Sequence, residues 1–101
     1  MFLVRVRVKP GASDEFLRRY RALADRVEEG LEGHVVHRLC QDLDDPERWV
    51  IESVWSSLEA EERWERMPEH RELTGAMREC WAEADRARYT VHLETRRREP
   101  Q

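Results

Sequence analysis

Asparagine is absent from this chain of 101 residues, lysine occurs once, at Lys9, and glycine and proline occur four times each. Each scarcity closes a class of protein. No apolar run exceeds a few residues, whereas a membrane-spanning helix needs about 20, so no membrane partner is expected. Met1-Phe-Leu-Val-Arg5 is too short an apolar start for a secretory signal, which points to the cytoplasm. The two cysteines, Cys40 and Cys80, read as free thiols and are too few and too far apart for a zinc site. A basic surplus is missing as well. Eighteen basic residues stand against 22 acidic ones for a net charge of −4, and Arg96-Arg97-Arg98 is the one basic run. Phosphate contacts supply most of the affinity of a nucleic-acid binder, so nucleic acid is not an expected partner.

Charge as such is abundant. Forty per cent of the residues are charged and 40% hydrophobic, against a usual charged share of about 25%. A chain of this length makes one small domain with a thin core. Phe2 to Lys9 alternates, with Phe2, Val4, Val6 and Val8 on one face and Arg5, Arg7 and Lys9 on the other; this is a half-buried strand, ended by Pro10-Gly11. Ser13 reads as a helix N-cap. Phe16, Tyr20, Leu23, Val27 and Leu31 recur at helical spacing up to Gly30, which closes the helix. Strands follow over His34–Gln41 and Arg48–Trp55, joined by the turn residues Asp42 to Pro46. Ser56 and Glu59 form a capping box, and Pro68 divides two helical segments. Leu73, Met77, Cys80, Trp81 and Ala84 make the apolar stripe of the second segment, and Ala87–Glu94 is the last strand.

The order is βαββαβ. It predicts an α+β, ferredoxin-like fold with a four-stranded antiparallel sheet, one domain over residues 1–94 and a charged tail over 95–101. Alternation places Val4, Val6, Val8, Val35, Leu39, Tyr89, Val91 and Leu93 under the helices. Arg5, Arg7, Arg38, Thr90, His92 and Glu94 fall on the opposite face, and the third strand fits either phase.

The segments Val6-Arg-Val-Lys-Pro-Gly11 followed by Phe16-Leu, Trp49 through Trp55-Ser-Ser-Leu58, and Met67-Pro-Glu-His70-Arg-Glu-Leu73 resemble the antibiotic biosynthesis monooxygenases. The resemblance runs over residues 2 to about 94. It implies a protomer whose sheet pairs with a second copy into a dimeric α/β barrel, with a substrate cavity between sheet and helices. Members include cofactor-free oxygenases of aromatic polyketides, quinol-oxidising monooxygenases and haem-degrading enzymes. The last two kinds rely on an asparagine, and this chain has none. The haem-ligand histidine would fall at Thr74, and the glutamate common in the third-strand motif is Ser53, beside Glu52.

The expected activity is a cofactor-independent monooxygenase acting on an aromatic polyketide or quinol-type substrate. A cyclase using the same cavity, or a non-catalytic dimer binding a small aromatic ligand, are the alternatives. A phenol or enol must lose a proton before it reduces O₂, which calls for a base of near-neutral pKa and for aromatic walls that exclude water. His70, in the first turn of a helix, and His37, on the core face of its strand, are the candidate bases; a packed core histidine and a surface histidine are the plain readings of His37 and His70 respectively. The resemblance puts Trp64 on the cavity wall, and Trp55, Tyr20 and Tyr89 complete the candidate substrate-binding set. His34 and His37 are expected on opposite faces of their strand, and so not to form a metal pair. Glu59, Glu61, Glu62 and Glu65 read as a solvated helix face. No metal or cofactor motif is present.

Overall fold

The computed structural model describes residues 1–98; the end of the predicted tail, 99–101, lies outside the described residues. The elements are β1 (Phe2–Val8), α1 (Ser13–Glu28), β2 (His34–Gln41), β3 (Arg48–Trp55), α2 (Leu58–Arg66), α3 (Pro68–Arg78) and β4 (Trp81–Arg88). The strands form one antiparallel sheet in the order β2-β3-β1-β4, which is the ferredoxin-like arrangement expected.

All three helices cover one face of the sheet. Val4, Val6 and Val8 of β1 meet Phe16, Tyr20, Leu23 and Val27 of α1 in the core, joined by Trp49, Ile51, Trp64 and Met77. Phe16 is fully enclosed and packs edge-on against Trp49 at 5.3 Å. The phase of β3, open in the sequence, is thereby settled: Trp49, Ile51 and Ser53 are buried.

Two caps differ from expectation. The N-cap position of α1 is Ala12, and the Ser13 hydroxyl instead donates to the Pro46 carbonyl at 2.9 Å. On α2 the cap is Ser57, whose hydroxyl oxygen accepts from Ala60 N–H at 3.1 Å, one residue later than the Ser56–Glu59 box. Pro68 does open α3.

The largest correction concerns β4. It runs from Trp81 to Arg88, six residues ahead of the predicted Ala87 start. Cys80 turns back onto Met77, and its carbonyl accepts from Lys9 N–H at 2.8 Å, so the chain enters the sheet directly after α3. Pairing with β1 then runs from Val8↔Trp81 to Phe2↔Arg88 and closes with reciprocal hydrogen bonds between Met1 and Tyr89, both 2.7 Å. Tyr89, Val91 and Leu93 are consequently exposed rather than under the helices, and Thr90, His92 and Glu94 belong to no sheet face. Trp81 and Ala84 leave the helical stripe and become strand residues.

A register slip between His34 and Val36 corrects β2. The extra residue, Val35, is pushed outward and is 53% exposed; the slip reverses the phase on one side of it. His34 then lies on the same face as His37, their ring centroids 5.9 Å apart. The expectation of opposite faces fails for that reason.

Among the described residues no helix covers the other face of the sheet. Its strands bring Arg38 opposite Glu52, Arg5 opposite Asp85 and Arg7 opposite Glu83. Cross-strand pairs of opposite charge are a favourable use of such a face.

Candidate functional site

Between the sheet and helices α2 and α3 lies a cavity of about 120 Å³, lined by His37, Ser53, Trp55, Glu61, Trp64 and His70 among others. A void of roughly this size holds a single benzene ring. Arg78, Asp85 and Arg86 are the exposed charged residues along it, so a larger flat ligand would extend on their side.

Four of the six candidate site residues meet in this space: His37, His70, Trp55 and Trp64. Tyr20 stands one layer behind, hydrogen-bonded through its hydroxyl to Nδ1 of His37. Tyr89 does not reach the cavity and is half exposed, because β4 ends before it.

Each histidine has its own electrostatics. Burial pushes His37 down to about 4, helped by the neighbouring His34, so the ring is neutral at pH 7. Burial likewise raises the Tyr20 phenol well above its ordinary range. The phenol therefore keeps its proton and donates it to Nδ1, which leaves the ring proton of His37 on Nε2. Its basic lone pair is already occupied, and its free edge is a donor.

His70 sits where the Pro68 opening of α3 places it, its ring edge-on to Trp64 at 5.2 Å. Burial lowers its pKa, Glu65 opposes that, and Arg78 and Arg86 add to it. Its carbonyl accepts from the Thr74 hydroxyl at 2.7 Å. The Thr74 side chain is thus turned back on its own helix.

Glu61 was not among the expected residues, and its reading as part of a solvated face is wrong. It is 4% exposed, it lines the cavity, and its Oε2 is buried without a hydrogen-bond partner. Burial, together with the Glu65 carboxylate one turn on, raises its pKa to about 7, against the opposing pull of Arg88 and Arg86. Glu65 itself pairs with Arg86 at 3.0 Å. A signal was present in the sequence: once Trp64 is taken as a core position, residues 60 and 61 lie four and three positions before it on the same helix face. The Trp81 indole N–H is a second buried, unpaired polar group of the cavity wall. The described residues contain no cluster of three or more metal-ligating side chains.

A ferredoxin-like sheet roofed by helices over a cavity of tryptophans and imidazoles defines a small α+β domain with an enclosed candidate site. The family model for antibiotic biosynthesis monooxygenases matches residues 1–75, and the chain belongs to that family. It is 34% identical over 88 residues to the 42.8 kDa protein in the whiE locus of Streptomyces coelicolor, covering 87% of this chain and 22% of that protein. It is 32% identical to protein SchA of Streptomyces halstedii, again over 87% of this chain and 23% of the relative. The chain thus spans less than a quarter of the length of these curated relatives. Among solved structures, SnoaB from Streptomyces nogalater, a cofactor-independent oxygenase, superposes with a TM-score of 0.73 at 26% identity, covering 91% of this chain and 95% of that one. A conserved protein from Methanosarcina mazei Go1 shares the fold with a TM-score of 0.76 at 21% identity, covering 88% and 90% of the two chains. No helix among the described residues is long and apolar enough to cross a membrane.

Proposed function

We propose that this protein is a cofactor-independent monooxygenase of a flat aromatic substrate, of the anthrone or quinol kind met in aromatic polyketide metabolism. One observation carries the reading: His37, His70, Trp55 and Trp64 line a single small cavity. Family membership and the likeness to SnoaB support it.

Chemically, the substrate is the reductant. His70, neutral and with no hydrogen bond recorded to its ring, takes the proton that converts an anthrone or phenol into its anion. The Nε2–H of His37 and a guanidinium of the wall, Arg78, serve the negative charge that develops. Trp55 and Trp64 hold the ring system and exclude water. The anion then reduces O₂; for an anthrone the net change is CH₂ + O₂ → C=O + H₂O, which requires no further reductant. The uncovered sheet face, with its alternating charges, suits a second copy, so the working unit is a homodimer.

The test is O₂ uptake with an anthrone or hydroquinone, with the quinone followed by absorbance. The His70→Ala variant should lose turnover by about 10²–10⁴ while staying folded. No uptake with several such substrates would sink the proposal. Activity within twofold of the parent in His70→Ala would remove His70 as the base.

A further inference from the structure

The cavity holds an ionisable group that the proposed reaction does not use. Glu61 is 4% exposed and borders the same space as His70 and Trp64, and its Oε2 has no partner. A buried polar atom is nearly always satisfied, by protein or by something bound. Leaving a carboxyl oxygen unpaired is also costly. The groups facing Glu61 are Glu65 on its own helix and Arg86 and Arg88 on β4. Arg86 is engaged by Glu65 at 3.0 Å and Arg88 by Glu62 at 3.4 Å, so neither guanidinium is free to neutralise it. What remains is the pair of Glu61 and Glu65, one helical turn apart and sharing a hydrogen bond.

That sharing decides the polarity of the free oxygen. The proton of the pair lies between the two side chains. The Glu61 oxygen left over is then an acceptor whichever residue formally carries the proton. We infer that the Glu61 carboxyl is the specificity group of the cavity, accepting a hydrogen bond from a hydroxyl of the ligand. The site therefore prefers hydroxylated aromatic ligands over otherwise identical ones without the hydroxyl. This deepens the reading of the cavity as the ligand site and rests on it, but it needs no turnover. Sites that hydrogen-bond a ligand hydroxyl discriminate strongly against the analogue that lacks it, because the buried partner is then left unpaired.

The probes are 5-hydroxy-1-tetralone and 1-tetralone, which differ by that hydroxyl alone, titrated anaerobically by calorimetry against the full chain. The parent should bind the hydroxylated probe tighter by about 10-fold or more. Glu61→Gln should keep the preference, because its amide N–H₂ takes the place of the shared proton toward Glu65 and its carbonyl still accepts. Glu61→Leu, checked for fold by circular dichroism, should bind both probes within about twofold of each other. Equal binding of the two probes by the parent overturns the inference without recourse to any variant. An undiminished preference in Glu61→Leu, or no binding of either probe to the parent, overturns it too. Oxygen uptake without this preference would remove the role of Glu61 alone; the preference without oxygen uptake would remove the monooxygenase reading alone.

Discussion

The Tyr20 hydroxyl donates to Nδ1 of His37, and the two rings lie nearly parallel with centroids 5.5 Å apart. The contact ties α1 to the edge strand β2 and keeps an imidazole uncharged inside the fold. Its pKa, about 4 in the folded chain, is near 6.5 in the unfolded one. Between those values the unfolded state binds more protons, so stability is complete above pH 6.5 and falls as the pH drops toward 4. The loss reaches about 3 kcal/mol from this group. The His37→Phe variant should show a visibly shallower decline of urea midpoint between pH 6.5 and 4.5 than the parent. Parallel declines would detach the acid sensitivity from His37.

Glu61 acts in the opposite direction. Its pKa is raised to about 7 from an unfolded value near 4.3, so its contribution is favourable at low pH and is lost as the pH climbs through 7. Replacing it by glutamine removes that penalty. Glu61→Gln should be more stable than the parent at pH 8, by an amount of the order of 1–3 kcal/mol, and the gap should close toward pH 5. Between about pH 4.3 and 6.5 the slopes of His37 and Glu61 oppose each other, so these two groups together should leave the parent with little net pH dependence there. Denaturant midpoints of both proteins across pH 5 to 8 check this; equal midpoints at pH 8 would contradict it.

The fold was legible in the chain because most boundaries carry local chemistry: alternation in Phe2–Val8, Pro10-Gly11 after it, Pro68 between the last two helices. What escaped was decided by pairing at a distance. Trp81-Ala-Glu-Ala-Asp-Arg-Ala-Arg88 is rich in helix formers and alternates weakly, while Tyr89 to Glu94 alternates well. The register with β1, from Phe2↔Arg88 to Val8↔Trp81, selects the former. Local propensity in strands is readily overridden in this way. The same applies at the site. His70, Trp64, Trp55 and His37 were found from residue type and resemblance. The slip at Val35 that turns His34 inward depends on pairing that no short window displays, and the burial of one glutamate among four on α2 follows only once Trp64 is placed in the core.

Gly33 marks a point where backbone and packing agree. Its φ is +84°, and a Cβ there would stand 2.4 Å from the Ala60 Cβ and 3.0 Å from the Ser56 hydroxyl oxygen. The β2 entry and the start of α2 therefore approach each other over a bare Cα, where Ser56 N–H also donates to the Gly33 carbonyl at 2.6 Å. Gly30, at φ +110°, has nothing within 4 Å. Gly30→Ala should cost about 1–2 kcal/mol from backbone strain alone. Gly33→Ala should cost at least about 2 kcal/mol more, since α2 must also move. Comparable urea midpoints for the two variants would show that the gap closes without resistance.

Val91 and Leu93 are 48% and 84% exposed, although Tyr89 to Glu94 has the alternating pattern of a strand. Among the described residues no strand pairs with them. In the proposed homodimer the second sheet would supply both a cover for the charged face and an edge for this arm. On that account Val91→Asp, which disturbs no buried contact of its own chain, should leave the protomer folded and weaken association. Light scattering should give twice the chain mass for the parent at micromolar concentration and a lower average mass for the variant. Its melting temperature should become more dependent on concentration, because the stability of an associating fold includes the partner. A variant that stays wholly dimeric would place the arm outside the interface, and a monomeric parent would leave the sheet face without the second copy that the barrel requires.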